Sequence, residues 1–348
     1  MVKGNMRGSE LIISAGGKLY HVDLARSDGP IKNIFMVGDP KRVGTVAEHL
    51  TGVRRVAENR EFVTVFGKYK DVDVAVMGTG IGTDNTEIAS VELHAVHEFD
   101  PVKTTWFDPV KRNMIRLGTS GSPQKDIALG TVAIATHGVG LDNTGIYYPF
   151  YSTDPVVAGL KSRLREAVVR AITQADLGEI CPSALDAIRS GTVDESVVRQ
   201  QLADDFRPYV SSATPAVVEA LRAACNDRGM GEGARESGYV VGATSSASGF
   251  FGPQGRQIGR LNVLVPRLQE ILAELNADGV RVVNNEMESS ALFRINGELL
   301  GYNVGTACLV IANRADGEFI TEQAFNDGMH RMITAGMEAM VRLDQQIR

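Results

Sequence analysis

The stretch IFMVGDPKRV, residues 34–43, joins four consecutive apolar residues to a turn that contains glycine and proline. This pattern is typical of a buried β-strand that ends at the edge of a sheet. Similar apolar, β-branched runs alternate with helical patterns along most of the chain, which predicts an α/β fold with a largely buried sheet. The predicted strands are residues 34–37, 62–66, 72–77, 114–117, 131–135, 239–243 and 304–311, with a hairpin between the second and the third.

Helical periodicity marks three further segments. Residues 86–99 place Ile88, Val91, Ala95 and Phe99 on one face, and methionines recur at helical intervals between residues 325 and 341, as in a packed core. Residues 152–208 differ from their surroundings because they are charged, helix-prone and poor in glycine. We interpret them as a helical insertion within one domain that spans residues 1–348.

Composition narrows the classes of function. The net charge of −6 and a pI near 5.6 argue against a surface that binds nucleic acid. No stretch resembles a signal peptide or is apolar over the length that spans a bilayer, so we expect a cytoplasmic protein without membrane contact. The three cysteines are odd in number and far apart, which indicates neither a disulfide framework nor a zinc site.

Glycine-rich turns next to arginines are the strongest sign of a ligand. Arg42, Arg60 and Arg116 lie in or beside GDPKR, NREF and RLGTSG, and arginine together with the N–H groups of such turns binds oxyanions, with phosphate the natural candidate. Each arginine alone also fits an ordinary surface charge. MGTGIG lacks the third glycine of a dinucleotide site, and no phosphate-binding loop of the GxxxxGK[ST] type is present. His94 and His97 have no further ligand pattern, so we predict no metal site.

The segment NNEMESSALF, residues 284–293, places two carboxylates before an apolar run. One interpretation is that Asn284 or Asn285 caps a helix and that Glu286 and Glu288 favour its positive N-terminus. On a helix, side chains two residues apart point to nearly opposite sides. At most one of the two acids would then face a given cleft.

Taken in order, GDPKRV, NREF, TGIG, RLGTSG, GPQGR and NEMES resemble motifs of the nucleoside phosphorylase family, whose members include uridine phosphorylase. The resemblance covers residues 18–150 and 209–340. It implies a central mixed β-sheet that forms a partial barrel flanked by helices. It also implies reversible cleavage of a nucleoside by inorganic phosphate, as in uridine phosphorylase, which converts uridine to uracil and ribose 1-phosphate.

The resemblance assigns the substrates to residues of this chain. The phosphate-binding residues implied are Gly38, Arg42, Arg116, Thr119 and, from a neighbouring subunit, Arg60. Those implied for ribose are Met287, Glu288 and, across the same interface, His21. Those implied for the base are Phe250, Gln254, Arg256 and Arg314. Purine-specific members carry an aspartate after a late strand, where this chain has Asn313 and Arg314, which favours pyrimidines.

The same resemblance sets expectations for cofactors and assembly. Some bacterial members hold potassium with a glutamate that corresponds to Glu61 and a serine, but Asn85 stands at the serine position, so we assign no potassium site. We expect no cofactor besides phosphate as co-substrate, and a homodimer as the minimal active unit, with a hexamer possible. FFGPQGR differs in order from the family motif, so the geometry of that loop is left open. Broader or purine base preference, a hydrolase, and a silent nucleoside-binding protein are the alternatives.

Overall fold

The computed structural model describes residues 8–29, 32–233 and 235–347, and the other residues of the predicted domain 1–348 lie outside this description. The strands are β1 (Asn33–Val37), β2 (Thr51–Asn59), β3 (Phe62–Tyr69), β4 (Val72–Gly78), β5 (Phe99–Asp100), β6 (Thr105–Trp106), β7 (Asn113–Ser122), β8 (Val132–Leu141), β9 (Tyr209–Ser212), β10 (Tyr239–Ala247), β11 (Asn276–Ala277), β12 (Val280–Glu286), β13 (Asn303–Asn313) and β14 (Glu318–Phe319).

Helices occupy most of the remaining regular structure. The α-helices are α1 (Pro40–Ala47), α2 (Thr83–Glu98), α3 (Pro155–Gln174), α4 (Leu177–Ile180), α5 (Leu185–Arg189), α6 (Glu195–Asp205), α7 (Pro215–Asp227), α8 (Leu268–Glu274), α9 (Ser289–Leu292) and α10 (Glu322–Gln346). Short 3-10 helices occupy Arg26–Asp28, Thr144–Tyr147, Pro182–Ala184 and Gly252–Gln254, and a π-helix, Phe293–Leu299, continues α9.

One mixed sheet of 12 strands organises the molecule, with β11, β12, β10, β8, β13, β7, β1, β4, β3 and β2 in spatial order. β9 pairs with β8, and β14 pairs with β13. A pairing of Asn285 on β12 with Gly121 on β7 closes β12, β10, β8, β13 and β7 into a barrel. The predicted α/β fold, a mixed sheet that forms a partial barrel with helices around it, is therefore confirmed.

The predicted strands coincide with observed ones, but several run further than the apolar pattern shows. β7 continues through Gly118 and Gly121 to Ser122, so the segment RLGTSGS is strand rather than turn. Its partner β13 pairs with it from Asn303 to Asn313. Glycine and serine weaken the sequence signal of a strand, yet a strand between two partners keeps its hydrogen bonds whatever its side chains are.

The helix start expected at Asn284 or Asn285 is wrong. Both residues belong to β12, and α9 begins at Ser289. The asparagines are buried, and the hydroxyl of Ser245 on β10 donates to Oδ1 of Asn285 at 2.6 Å. Polar residues bonded to neighbouring strands inside the barrel interrupted the apolar pattern by which a strand is predicted.

Two predicted helices cover the sheet. α10 buries Met329, Met332, Met337 and Met340, as core packing of its methionine stripe requires. Of the predicted apolar face of α2, Ala95 and Phe99 are buried, whereas Ile88 and Val91 are only half-buried. Ala89 and Leu93 are buried as well, so the predicted face is correct only in part, because this helix also packs against α9.

Residues 152–208 contain α3, α4, α5 and α6. The apolar stripe of α3 is buried in a separate hydrophobic cluster with residues of α8 and β12, including Leu272 and Val282. These helices therefore rest on the outside of the barrel, near β12, the strand that ends at Glu286. Within the described ranges, no helix has the combination of length and apolarity that crossing a membrane requires.

Candidate active site

A buried guanidinium lies between two carboxylates where β7 meets β12. Arg116 donates from Nη2 to Oε2 of Glu288, and its Nη1 lies 3.2 Å from Oε2 of Glu286. Nη1 also donates to Sγ of Cys308 at 3.2 Å. Gly118 makes room for this side chain, because a methyl group on its Cα would lie 2.1 Å from Nη1. All three charged side chains are at least nine-tenths buried, so each depends on the others for its solvation.

Both acids reach Arg116 because Glu286 ends a strand. The expectation that they point to opposite sides is wrong, because helical spacing does not apply to them: Glu286 is the last residue of β12, and Glu288 precedes α9 in the bend that follows. Glu286 also accepts hydrogen bonds from the hydroxyl of Ser246 and from the backbone N–H groups of Glu288 at 3.0 Å and Ser289 at 3.1 Å. Glu286 therefore holds the turn that presents Glu288.

Glu288 lies between charged and backbone partners. Its Oε1 accepts a hydrogen bond at 3.0 Å from the N–H of Gly82, at the start of α2. Burial raises the pKa of Glu288, Arg116 opposes this shift, and Glu286 adds to it. Burial lowers the pKa of Arg116, but the two carboxylates more than offset that effect, so its pKa lies above the ordinary value. The guanidinium is firmly charged, while Glu288 is less acidic than an exposed glutamate.

The turn after β1 brings Gly38 and Arg42 to this cluster. A methyl group on Gly38 would lie 3.5 Å from Oε1 of Glu288 and 3.9 Å from Nη2 of Arg116. Asp39 caps α1 by accepting a hydrogen bond from the N–H of Lys41, which positions Arg42 in the first turn. Burial and the nearby Arg116 lower the pKa of Arg42. Nη1 of Arg42 also donates to the carbonyl of Leu117 at 3.4 Å, so the Arg42 guanidinium lies near that of Arg116, which is beside the open Cα of Gly38.

Thr119 and Met287 are neighbours of this cluster along the chain. Thr119 is half-buried on β7, three residues after Arg116, and pairs with Leu309 of β13. Met287 is half-buried between the two glutamates in sequence. The closed barrel and the β1–β7 pairing thus bring together three separated segments, which carry Gly38, Arg42, Arg116 and Glu288.

A second cluster gathers the residues expected to bind the base. Arg256 Nη1 donates to Oε1 of Gln254 at 2.5 Å and to the carbonyl of Phe250, and the guanidinium lies 3.9 Å from the centre of the Phe250 ring. Burial and the nearby Arg314 lower the pKa of Arg256 to about 10. Gln254 is buried, and Phe250 is 53% exposed, so the cluster has one enclosed side and one open side.

Arg314 connects this cluster to β7. Its Cγ lies 3.5 Å from the position of a methyl group on Gly121, near the carboxyl end of the strand that carries Arg116. Nη1 of Arg314 is buried without a hydrogen-bond partner among the described residues. Such a donor is an available contact for a ligand acceptor.

Asn313 is bound into the chain itself. Its amide nitrogen donates to the carbonyls of Gln124 at 3.1 Å and Ile127 at 3.2 Å, and its oxygen accepts from the N–H groups of Ala315 and Asp316. All its hydrogen-bonding groups therefore have partners in the loop after β13. Arg314 is the side chain of this pair that remains available.

His21 and Arg60 lie together, apart from Arg116. Arg60 donates to the hydroxyl of Tyr20 at 3.1 Å, and the rings of Tyr20 and His21 are 4.8 Å apart. Nδ1 of His21 is 2.7 Å from Oε1 of Glu92, which also accepts from the backbone N–H of His21. Among the described residues, no hydrogen bond or ion pair joins either side chain to Arg116 or Glu288.

Glu61 and Asn85 lie on either side of Gly80. A methyl group on Gly80 would be 3.0 Å from Cγ of Glu61 and 2.6 Å from Nδ2 of Asn85. The amide of Asn85 donates to the carbonyl of Ile81 at 3.2 Å. Over the described part of the chain, no group of three or more His, Cys, Asp or Glu side chains could hold a metal ion.

Sequence reasoning gave no definite role in these clusters to four contributors. Glu286 and Gly82 lie within NEMES and TGIG, but Glu286 could not be distinguished from a helix-favouring acid, and Gly82 acts through its backbone. Cys308 lies inside an apolar strand, where burial raises the pKa of its thiol to about 12, so the thiol is neutral. Glu92 stands within α2 but is buried, and a buried acid in an amphipathic helix is a signal only once the helix face is known.

Comparison with known proteins agrees with this architecture. The sequence profile of the Phosphorylase superfamily matches residues 32–341. A uridine phosphorylase of Thermococcus kodakarensis is 27% identical over 303 residues, which cover 87% of this chain and 80% of that protein. A uridine phosphorylase of Treponema pallidum is 35% identical over 158 residues, which cover 43% of this chain and 55% of that protein.

A solved structure is similar over nearly the whole chain. It is that of a Trypanosoma brucei nucleoside phosphorylase that shows uridine phosphorylase activity. The TM-score is 0.78 at 29% sequence identity, and the match covers 95% of this chain and 99% of the other.

The unequal bonding of the two glutamates predicts unequal effects on stability. Glu286→Gln should lower the free energy of unfolding by about 2–4 kcal/mol, because an amide group would face several donors in a buried site. Glu288→Gln should cost about half as much, since it leaves intact the hydrogen bonds by which Glu286 holds the turn. Urea unfolding measures both, with the exposed Glu318→Gln as control. Equal losses, or a larger loss for Glu288→Gln, would contradict the assignment of Glu286 to the turn.

Proposed function

This chain belongs to the phosphorylase superfamily, and we propose that it is a nucleoside phosphorylase whose preferred substrate is uridine. The observation that carries the proposal is the contact of Arg116 with Glu288, with Arg42 beside them. An anion site and an acceptor for hydroxyl groups are thereby adjacent in one buried cluster. Phosphorolysis needs both, because phosphate must meet the ribose at its anomeric carbon.

Phosphate is assigned to the two arginines. Arg42 and Arg116 present planar donors suited to phosphate oxygens, next to Gly38, whose lack of a side chain lets an anion approach the backbone. The Thr119 hydroxyl adds a donor on the same strand. The net charge of the cluster is zero, because two arginines, Arg42 and Arg116, face two glutamates, Glu286 and Glu288. Binding of the phosphate anion would therefore need a further cation. Arg60 of a second copy of the chain would supply it.

Ribose is assigned to Glu288. An ionised carboxylate is an acceptor with two oxygens, which suits a pair of neighbouring hydroxyl groups. Met287 would pack against the sugar, and His21 of a second copy would reach its 5′-hydroxyl. Glu92 holds Nδ1 of His21, so Nε2 is the nitrogen left for that contact. This arrangement makes a homodimer the minimal active unit, and it is consistent with the exposed position of Arg60.

Uracil is assigned to the second cluster. Gln254 has both a donor and an acceptor, as the edge of uracil has, while Arg256 and Arg314 offer donors to its carbonyl oxygens. Phe250 has an exposed ring on which a base could stack. The fully bonded amide of Asn313 supports pyrimidines, because it leaves no free group at the place where purine-specific relatives are expected to protonate the base.

The reaction follows from these positions. An oxygen of phosphate forms a bond to C1′ of ribose as the bond from C1′ to N1 of uracil breaks, and the bonding electrons leave with the base. Arg256 and Arg314 would stabilise the negative charge that grows on uracil. Glu288 would favour the positive charge on the sugar, and the arginines would orient phosphate for attack. No organic or redox cofactor enters this scheme.

A substrate panel tests the proposal. We expect release of uracil from uridine only when inorganic phosphate is present, with ribose 1-phosphate as the second product. Thymidine, deoxyuridine and inosine complete the panel, and the released bases are separated by chromatography. Dominant release of hypoxanthine would overturn the assignment of the base, and release without phosphate would overturn the mechanism.

Arg256→Ala tests the second cluster. Loss of charge stabilisation on the departing base should lower kcat/KM for uridine by about 100-fold or more. The free energy of unfolding should change by less than about 1 kcal/mol, since Arg256 makes few contacts with the core. The exposed Arg260→Ala is the matched control and should keep full activity. Unchanged kinetics in Arg256→Ala would remove this residue from the site.

A further inference from the structure

A cationic cavity of about 360 Å³ lies outside both clusters described above. It opens between α3, the loop after β8, the start of β9 and the π-helix that follows α9. Neither Arg116, Glu288 nor Arg256 lines it. Its charged lining residues are all basic, namely Lys161, Arg165, Arg207 and Arg294.

Two of these cations have no fixed partner at their charged ends. Lys161 makes no hydrogen bond or ion pair with any described residue. Arg207 uses only Nε, which donates to the carbonyl of Asp204 at 3.0 Å, so its two Nη groups remain available. Arg165 makes two long contacts, to the carbonyl of Phe206 at 3.3 Å and to a carboxylate oxygen of Asp204 at 3.4 Å. An oxyanion in the cavity would therefore meet donors that the protein itself does not use.

Arg294 forms the base of the cavity. Its Nη2 donates to the carbonyl of Val210 at 2.9 Å, and its Nε lies 3.2 Å from Oε2 of Glu298. The guanidinium also lies over the rings of Phe150 and Tyr209, at 5.4 and 5.5 Å from their centres. This buried cation is fixed in place and paired with Glu298, so it shapes the base of the cavity rather than supplying a movable contact.

The other wall of the cavity is aromatic. Tyr148, Phe150 and Tyr209 line it together with Pro149. The acids that contact lining residues all have partners in the chain. Glu87 accepts from the hydroxyl of Tyr148 and Asp142 from that of Tyr209, while Glu298 pairs with Arg294 and Asp204 with Arg165. A ligand with a phosphate group and a flat ring would match both walls, and the volume suits a molecule of nucleotide size.

We propose that this cavity is a second binding site, which takes a nucleoside monophosphate. The phosphate contacts Lys161, Arg165 and Arg207, and the base lies against the aromatic wall. The site is separate from the proposed phosphorolysis, and its existence does not depend on that function. It adds a ligand class, organic phosphate monoesters, to the nucleoside and inorganic phosphate assigned above.

The floor of the cavity is connected to the buried charge cluster. The hydroxyl of Tyr209 contacts Asp142 at 2.9 Å and Oγ of Ser290 at 3.0 Å. The N–H of Ser290 donates to the hydroxyl of Ser246 at 3.0 Å, and that hydroxyl donates to Glu286, the partner of Arg116. A ligand that moves Tyr209 would therefore disturb the residues that hold Glu286. We expect nucleotide binding to change the KM for phosphate measurably.

Binding of uridine 5′-monophosphate tests the proposal, measured by calorimetry with the full-length protein. The double variant Lys161→Ala/Arg207→Ala should bind at least tenfold more weakly than the wild type, while its turnover of uridine without nucleotide stays within twofold. The matched control Lys125→Ala/Arg260→Ala removes two exposed cations elsewhere and should bind normally. Arg256→Ala should also bind normally, which separates this site from the base cluster.

Other outcomes would overturn the proposal. Equal binding by the Lys161→Ala/Arg207→Ala variant would place the nucleotide elsewhere. Loss of binding in both double variants would indicate unspecific attraction to positive charge. If inorganic phosphate competes with the same affinity as the nucleotide, the cavity holds an adventitious ion only. If light scattering shows a changed oligomer in the Lys161→Ala/Arg207→Ala variant alone, the cations contact a second copy of the chain instead.

Discussion

The buried guanidinium of Arg116 is the constraint on which the rest of this structure depends. A charge removed from water is stable in a protein only when opposite charges and hydrogen bonds replace its hydration. Here the replacement comes from Glu286 and Glu288 at the end of β12. They reach Arg116 because Asn285 pairs with Gly121 and closes the barrel. The pairing that closes the barrel therefore also places the two carboxylates that neutralise Arg116.

This arrangement has a consequence for the proposed reaction. Without substrates, Arg116 and Glu288 satisfy each other, and Gly82 completes the coordination of the carboxylate. Phosphate would bind Arg116 and ribose would bind Glu288. Binding of both substrates would therefore replace the contact between Arg116 and Glu288 with one contact from each residue to a substrate. The substrates are thus expected to help each other bind. The second cluster, around Arg256 and Arg314, adjoins Gly121, where β7 meets β12, and takes no part in this exchange.

Much of the fold could be predicted from sequence, because apolar runs such as residues 34–37 report burial directly. The strand β12 could not, since Asn284, Asn285 and Glu286 are polar residues whose partners lie on β10 and β7. The same limit applies to the site. Arg42, Arg116 and Glu288 carry recognisable motifs, but their convergence follows from barrel closure, which no local pattern encodes. The burial of Glu92 and the cavity lined by Lys161 and Arg207 both result from packing between distant segments. No sequence motif indicates either of them.

The most direct test of this account is the affinity of uridine with and without sulfate, which mimics phosphate but does not react. Calorimetry would compare sulfate with chloride at equal ionic strength. If an anion draws Arg116 away from Glu288, uridine should bind about fivefold or more tightly in sulfate, a coupling in the usual range between adjacent sites. Equal affinities in the two salts would contradict the claim that Arg116 and Glu288 exchange their contact for the two substrates.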